Sequence, residues 1–254
     1  MPVNLGFFDV NLCLGLPPRA AFRPAASARD LARAMAASGI KKGLAWHIAQ
    51  REYAPQEGNR MLAAAIAGHK NLHGCWTILP PQTGEVITPG FFRRMKARGI
   101  MALRAFPALH NFLLNRAVFG RFLDEVSERR IPLLLSVEHA SGGWQAIYNL
   151  LAEFPGLTLV ICDTGIWNTD RYTWPLLEAY QNVYLESSLV SLEDGGLEKT
   201  VERYGAGRLV FGSGFPVRYF EAAMLAVLKA DVPPGAKRKI ARENIEGIIK
   251  RIRL

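Results

Sequence analysis

Short apolar runs alternate along the chain with longer stretches in which apolar residues recur every three or four positions. The short runs, bounded by Gly, Pro, Asn and Asp, predict strands at 5–10, 41–47, 72–78, 100–105, 132–137, 157–163, 182–187 and 208–213. The longer stretches predict helices. At 27–37, Leu31 and Met35 share a face with neighbouring alanines, and Ser27 or Asp30 is available as a cap. At 119–130, Phe119, Phe122, Leu123 and Val126 fall on one face and charges on the other. The helix at 144–154 stops at Pro155-Gly156. Strands separated by helices call for parallel pairing through right-handed crossovers, and eight of them close naturally into a barrel. No linker, low-complexity tract or internal repeat interrupts the alternation. The expected fold is therefore α/β, a (β/α)8 TIM barrel in one domain over 1–254.

Composition is consistent with this. The chain has 254 residues, half of them hydrophobic, enough for one large core. No apolar run is long enough to cross a bilayer, and no leader-like pattern opens the chain, so a cytoplasmic protein without membrane contact is expected. Cys13, Cys75 and Cys162 are too few and too scattered for a disulfide framework or a zinc finger. The net charge of +9 raises the question of nucleic acid. However, the basic clusters, Arg93-Arg94-Met95-Lys96 and 237–253, sit at helical spacing among apolar residues, as solvated helix faces do. Without aromatic residues interleaved among them, no specific nucleic-acid binding is expected.

Particular motifs go further. Phe7-Phe8-Asp9-Val10-Asn11-Leu12-Cys13-Leu14-Gly15 opens the chain, and Asn59 falls in a helix after the second strand. His73-Gly74-Cys75-Trp76-Thr77-Ile78-Leu79-Pro80, Phe154-Pro155-Gly156-Leu157-Thr158-Leu159-Val160 and Arg208-Leu209-Val210-Phe211-Gly212-Ser213-Gly214-Phe215-Pro216 follow in order. Together these resemble the amidohydrolase-related TIM barrels (the amidohydrolase 2 type), metal-dependent hydrolases and their relatives, across nearly the whole chain.

The resemblance implies a divalent metal held by five residues, and none of the five keeps its identity. Two histidines of the first strand are here Asn11 and Cys13. A histidine ending the fifth strand is Ser136, and one ending the sixth is Asp163. The aspartate after Phe-Gly-Ser, implied as metal ligand and general base, is Gly214. Asn11 and Ser136 are poor neutral donors and Gly214 offers no side chain, so neither the family's metal site nor any other cofactor is expected.

Polar residues nevertheless fall at the carboxyl ends of the strands, where barrels carry their chemistry. Asp163, Glu138 and Arg104 are the candidate catalytic residues: Asp163 or Glu138 as base, Arg104 as a fork for a substrate carboxylate. Asn11, Cys13, Ser136, His139, Trp167 and Glu186 are the candidate substrate-binding residues. Strand alternation puts Asp9 on the face of Asn11 and Cys13. The plainer reading is that Arg104 pairs with Asp163 or Glu186 and fills the mouth. Two sharper alternatives are a Cys13 nucleophile activated by His47 or His139, and a hard cation held by Asp9, Glu138, Asp163 and Glu186. Trp46 and Trp76 are read as packing residues.

The resemblance extends to decarboxylases of aromatic or muconate-type acids and lactonases of pyrone dicarboxylates. It therefore implies a hydrolase or lyase acting on a small carboxylated molecule, in this chain without the metal, and a homodimer. The rival expectation is an inactive barrel that serves as a ligand-binding or assembly subunit.

Overall fold

Eight parallel strands pair in sequence order in the computed structural model, which describes residues 5–18 and 24–254. They are β1 (Phe8–Leu14), β2 (Lys42–His47), β3 (Leu72–Thr77), β4 (Ile100–Arg104), β5 (Leu133–Ser136), β6 (Leu159–Cys162), β7 (Val183–Glu186) and β8 (Leu209–Val210). Backbone bonds from Val10 N–H to the Phe211 carbonyl (3.0 Å) and from Cys13 N–H to the Phe215 carbonyl (2.8 Å) join the end of the sheet to its beginning. The result is the (β/α)8 barrel that the alternation predicts, with each strand within a few residues of its expected place.

The helices begin and end where local chemistry dictates. Ser27 and Asp30 form a reciprocal capping box on helix Ala28–Ser38, and Gly39, at φ 87°, ends it in the left-handed conformation. Helix Arg116–Glu128 is capped by Asn115 and buries Phe119, Phe122, Leu123 and Val126 as its periodicity requires. It starts three residues earlier than predicted because that cap lies upstream of the apolar stripe.

The strand alternation sorts side chains into two sets. Leu103, Leu133, Leu135 and Ile161 face outward and pack under the helices. Leu44, Ala102, Leu134, Val160 and Tyr184 face inward and fill the lumen, together with Ile245 and Ile248 from helix Asn244–Lys250. Moving two residues along β2, β4, β5, β6 and β7 from those lumen positions brings Trp46, Arg104, Ser136, Cys162 and Glu186 to the mouth. All five are buried. Period-2 geometry alone thus delivers a polar layer on top of an apolar plug.

β1 breaks the rule. Its pairing with β2 runs from Asp9 opposite Gly43 to Leu12 opposite Ala45, so one extra residue is accommodated by a bulge. Phe8 and Val10 face the lumen before the bulge and Cys13 faces it after. Asp9 is therefore not on the face of Asn11 and Cys13, contrary to simple alternation. Its Oδ1 accepts the Asn11 N–H at 2.9 Å and the Ser213 N–H at 3.1 Å, one donor from each side of the β1–β8 seam. Burial pushes its pKa up to about 6 against the pull of these bonds. Asp9 stitches the barrel closed.

Candidate functional site

Four of the expected residues converge at the mouth. Arg104 Nη1 donates to Asn11 Oδ1 at 3.0 Å, and Nη2 donates to Ser136 Oγ at 2.9 Å. Ser136 Oγ in turn donates to Asp163 Oδ2 at 2.6 Å, and the Arg104 guanidinium lies 3.9 Å from the same carboxylate. Asp163 follows the last residue of β6 and would point outward if the strand continued. Its left-handed φ of 50° turns the carboxylate into the mouth instead.

The other carboxylate oxygen of Asp163 is held by a residue that strand-end reasoning missed. Arg218 Nη2 donates to Asp163 Oδ1 at 2.5 Å, while its Nε donates to the Ser213 carbonyl at 3.1 Å. Burial alone would raise the Asp163 pKa. The guanidiniums of Arg218 and Arg104 and the hydrogen bonds from Ser136 and Arg218 outweigh it and hold the carboxyl below its usual range. Asp163 is thus a fully ionised counter-charge for two arginines and a weak proton acceptor.

Glu186 lies deeper, 4.0 Å from Arg218 Nη2. Its Oε1 accepts the Ser188 N–H at 2.7 Å, and its Oε2 accepts the Ser188 hydroxyl at 2.9 Å. Burial and the nearby charge of Asp163 push its pKa up to about 7, against Arg218 and the Ser188 bonds. It underlies the mouth and does not line the cavity.

A cavity of about 90 Å³ opens above this layer, with Asn11, Cys13, Trp46, Arg104, His139 and Asp163 in its wall. Arg51, Glu138, Gly214 and Arg218 complete the polar part of the lining. The Arg104 and Arg51 guanidiniums stand 5.0 Å and 5.4 Å from the Trp46 ring centre, within cation–π reach. Trp46, read from sequence as packing, therefore also forms a wall of the cavity; its lumen parity with Leu44 was the available signal. His139 Nε2 lies 3.2 Å from Glu138 Oε1. Burial, with Arg104 and Arg51 nearby, pushes the His139 pKa down to about 4, so the ring is neutral at pH 7 and the contact is not an ion pair. Trp167 is 72% exposed and stands apart from the cavity wall.

Two of the sharper alternatives lose their basis. Burial pushes the Cys13 thiol up to about 12, and its sulfur donates to the Leu14 carbonyl at 3.8 Å. His47 Nδ1 accepts the Ala49 N–H at 3.1 Å and so caps a turn rather than activating a thiol. Nor do Asp9, Glu138, Asp163 and Glu186 form a cation cage. Among the described residues no three His, Cys, Asp or Glu side chains gather closely enough to hold a metal ion.

The five positions the family implies as metal ligands carry an amide bonded to Arg104, a thiol with a pKa near 12, a hydroxyl in a chain, an ion-paired carboxylate and a glycine. A side chain at position 214 would also meet Arg218: a Cβ there falls 2.2 Å from Nη2 and 2.5 Å from Cζ. These residues do not fit the divalent ion.

Fold and mouth define a TIM barrel with a polar site at the carboxyl ends of its strands. Residues 12–248 match the family model described as Amidohydrolase, and the chain belongs to that family. No curated protein matches it in sequence. Solved structures match over nearly the full length. One is an uncharacterized TIM-barrel protein from Bordetella bronchiseptica, 17% identical with a TM-score of 0.75 over 96% of this chain and 98% of that one. Another is 2,6-dihydroxybenzoate decarboxylase from Rhizobium, 15% identical with a TM-score of 0.76 over 96% and 98%. A third is a probable 2-pyrone-4,6-dicarboxylic acid hydrolase from Acinetobacter baumannii with citric acid bound, 14% identical with a TM-score of 0.72 over 96% and 99%. At these identities the likeness shows the fold.

Proposed function

We propose that this barrel binds a small carboxylated molecule at its mouth and acts on it as a lyase or hydrolase, without the family's divalent metal. The observation that carries the reading is the charge of the cavity. Three guanidiniums (Arg51, Arg104 and Arg218) line it. Arg51 is paired with Glu52 at 2.6 Å and Arg218 with Asp163, while Arg104 is bonded to the neutral Asn11 and Ser136 and stands 3.9 Å from Asp163. Low-dielectric walls such as Trp46 strengthen the attraction of the Arg104 guanidinium for an anion. The neighbours named as a decarboxylase and as a pyrone-dicarboxylate hydrolase support the same class of anionic substrate.

In this reading Arg104 anchors the ligand carboxylate with the N–H groups that Asn11 and Ser136 leave unused. Asp163, engaged at both oxygens, positions the two arginines and is not the base. Proton transfer falls to Glu138, with the neutral His139 ring 3.2 Å from its Oε1.

The test is a thermal-shift screen with benzoate, isophthalate and citrate, repeated on Arg104→Ala, followed by an assay for CO2 release or ester cleavage on whichever binds. A ligand of the native state raises the melting temperature by mass action. The expected result is stabilisation of the wild type that Arg104→Ala loses. No shift with any of the three would sink the reading. Stabilisation without turnover would instead favour the inactive ligand-binding barrel.

A further inference from the structure

We infer that the Arg218 guanidinium is the resident cation of this barrel, seated where the family implies a metal-ligating aspartate, and that it takes an anionic oxygen of the ligand. The inference rests on the carboxylate reading for the identity of that anion and adds the group that meets it.

Three observations converge on Arg218. First, the seat is made by a glycine. Gly214 has a φ of 70°, and a Cβ at that position would fall 2.2 Å from Nη2, 2.5 Å from Cζ and 2.7 Å from Nε. The whole guanidinium occupies the space that an aspartate side chain at 214 would enter, so Gly214 and Arg218 act as one unit. Second, the seat is fixed on two sides. Nε is tied to the Ser213 carbonyl and Nη2 to Asp163, both within hydrogen-bond distance, and Glu186 lies 4.0 Å away beneath. A planar fork held at Nε and one Nη presents its remaining N–H groups in a set direction. Third, Arg218 lines the same cavity as Arg104 and Asn11, so its unused donors are within the reach of one small ligand.

The physical logic is charge replacement. A barrel that binds a divalent ion neutralises its carboxylates with that ion and offers the ion's positive charge to the substrate oxygen. Here the carboxylates Asp163 and Glu186 are faced by guanidiniums, and a guanidinium offers both charge and directional donors to an anionic oxygen. The Arg218 guanidinium as seated here and a side chain at position 214 cannot share this space.

The experiment measures isophthalate binding by calorimetry on wild type, Arg104→Ala, Arg218→Ala, Arg218→Lys and Gly214→Ala, with far-UV circular dichroism to confirm folding. It also measures Mn2+ retention by the wild-type protein after dialysis. Arg218→Ala is expected to weaken isophthalate by roughly tenfold or more, and Arg218→Lys to recover only part of that loss because the fork is gone. Gly214→Ala keeps every charge but displaces the guanidinium, and is expected to weaken binding as much as Arg218→Ala does. Wild type is expected to retain no Mn2+.

Arg218→Ala and Gly214→Ala both within roughly twofold of wild type, while Arg104→Ala loses the ligand, would overturn the role of Arg218 and leave the carboxylate reading standing. Absence of isophthalate binding in the wild type, with citrate and benzoate also inert, would remove the carboxylate reading; the Mn2+ result then decides for or against Arg218 as resident cation. One Mn2+ retained per chain would overturn it in either case.

Discussion

Arg218 Nη2 donates to Asp163 Oδ1 at 2.5 Å, joining the segment after β8 to the residue that follows β6. The same carboxylate accepts from Ser136 through its other oxygen and lies 3.9 Å from Arg104. One acidic residue therefore organises two of the three arginines of the mouth, Arg104 and Arg218.

Asp163→Asn isolates that charge. Asparagine tolerates the left-handed φ of 50° almost as well as aspartate, so the backbone contributes little to the effect. Breaking a buried ion pair by removing one partner costs about 3–5 kcal/mol. Because the Arg218 side chain is 28% exposed and partly screened, the expected loss is nearer about 2 kcal/mol. The sign with pH follows from a depressed folded pKa: the stabilisation is fully present above the ordinary carboxylate range and disappears as pH falls through the lowered value. Urea unfolding should show the deficit at pH 7, narrowing in strong acid. Equal stabilities at pH 7 would contradict the clamp.

Gly212→Ala tests the layer beneath. A Cβ there falls 2.5 Å from both Cγ and Oε1 of Glu186, side-chain atoms packed in a buried pocket with little room to yield. Overpacking of this kind costs about 1–3 kcal/mol. The same substitution in a Glu186→Ala background should cost much less, since the obstructing atoms are gone. A double-mutant cycle with additive effects would refute the contact.

The strands and the single domain were legible because apolar runs bounded by turn residues recur eight times. Arg104, Ser136 and Glu186 were legible as strand ends, and the two-residue period that buries Ala102, Leu134 and Tyr184 also carries these three to the mouth. Asp9 was misplaced because a one-residue bulge in β1 reverses the face of everything after it, and no composition signal marks a bulge. Arg218 was missed for a different reason. It lies beyond β8 in a turn, five residues after Ser213, and only the space left by Gly214 brings it back over the barrel. From sequence Gly214 registered as a missing carboxylate; the structure shows that the same glycine makes room for a cation.

Asn59 illustrates a motif residue whose role is structural. It sits on helix Pro55–Ile66 and is buried. Its Oδ1 accepts from Gln50 Nε2 at 2.6 Å and from the Thr77 N–H at 2.8 Å, and its Nδ2 donates to the Thr77 carbonyl at 2.8 Å. The side chain therefore satisfies both backbone groups at the end of β3, where the ladder stops. Asn59→Ala takes the partner from both Thr77 backbone groups, while Gln50 Nε2 keeps the Cys75 carbonyl at 3.0 Å. At about 1–3 kcal/mol for each orphaned group, a loss of roughly 2–4 kcal/mol is expected. Chemical denaturation measures it, and a loss under about 1 kcal/mol would mean that water replaces the amide.

Glu186 should give the protein a descending stability profile through neutral pH. Burial and Asp163 raise its folded pKa from the usual carboxylate range to about 7. Between the unfolded value and that folded value the native state holds the proton that the unfolded chain has lost, so stability falls as pH rises across this window. Above about pH 7 both states are ionised and the penalty is constant, on the order of 3 to 4 kcal/mol. Glu186→Gln keeps the volume, and its amide can still accept the Ser188 N–H and donate to the Ser188 hydroxyl, so the packing is preserved while the titration is removed. The variant is expected to match wild type near pH 5 and to exceed it at pH 8. Asp9, raised to about 6, contributes a smaller fall of the same sign that persists in the variant. Melting temperatures taken from pH 5 to pH 8 decide the matter. Parallel profiles for the two proteins would mean that Glu186 is ionised throughout, its charge compensated by Arg218.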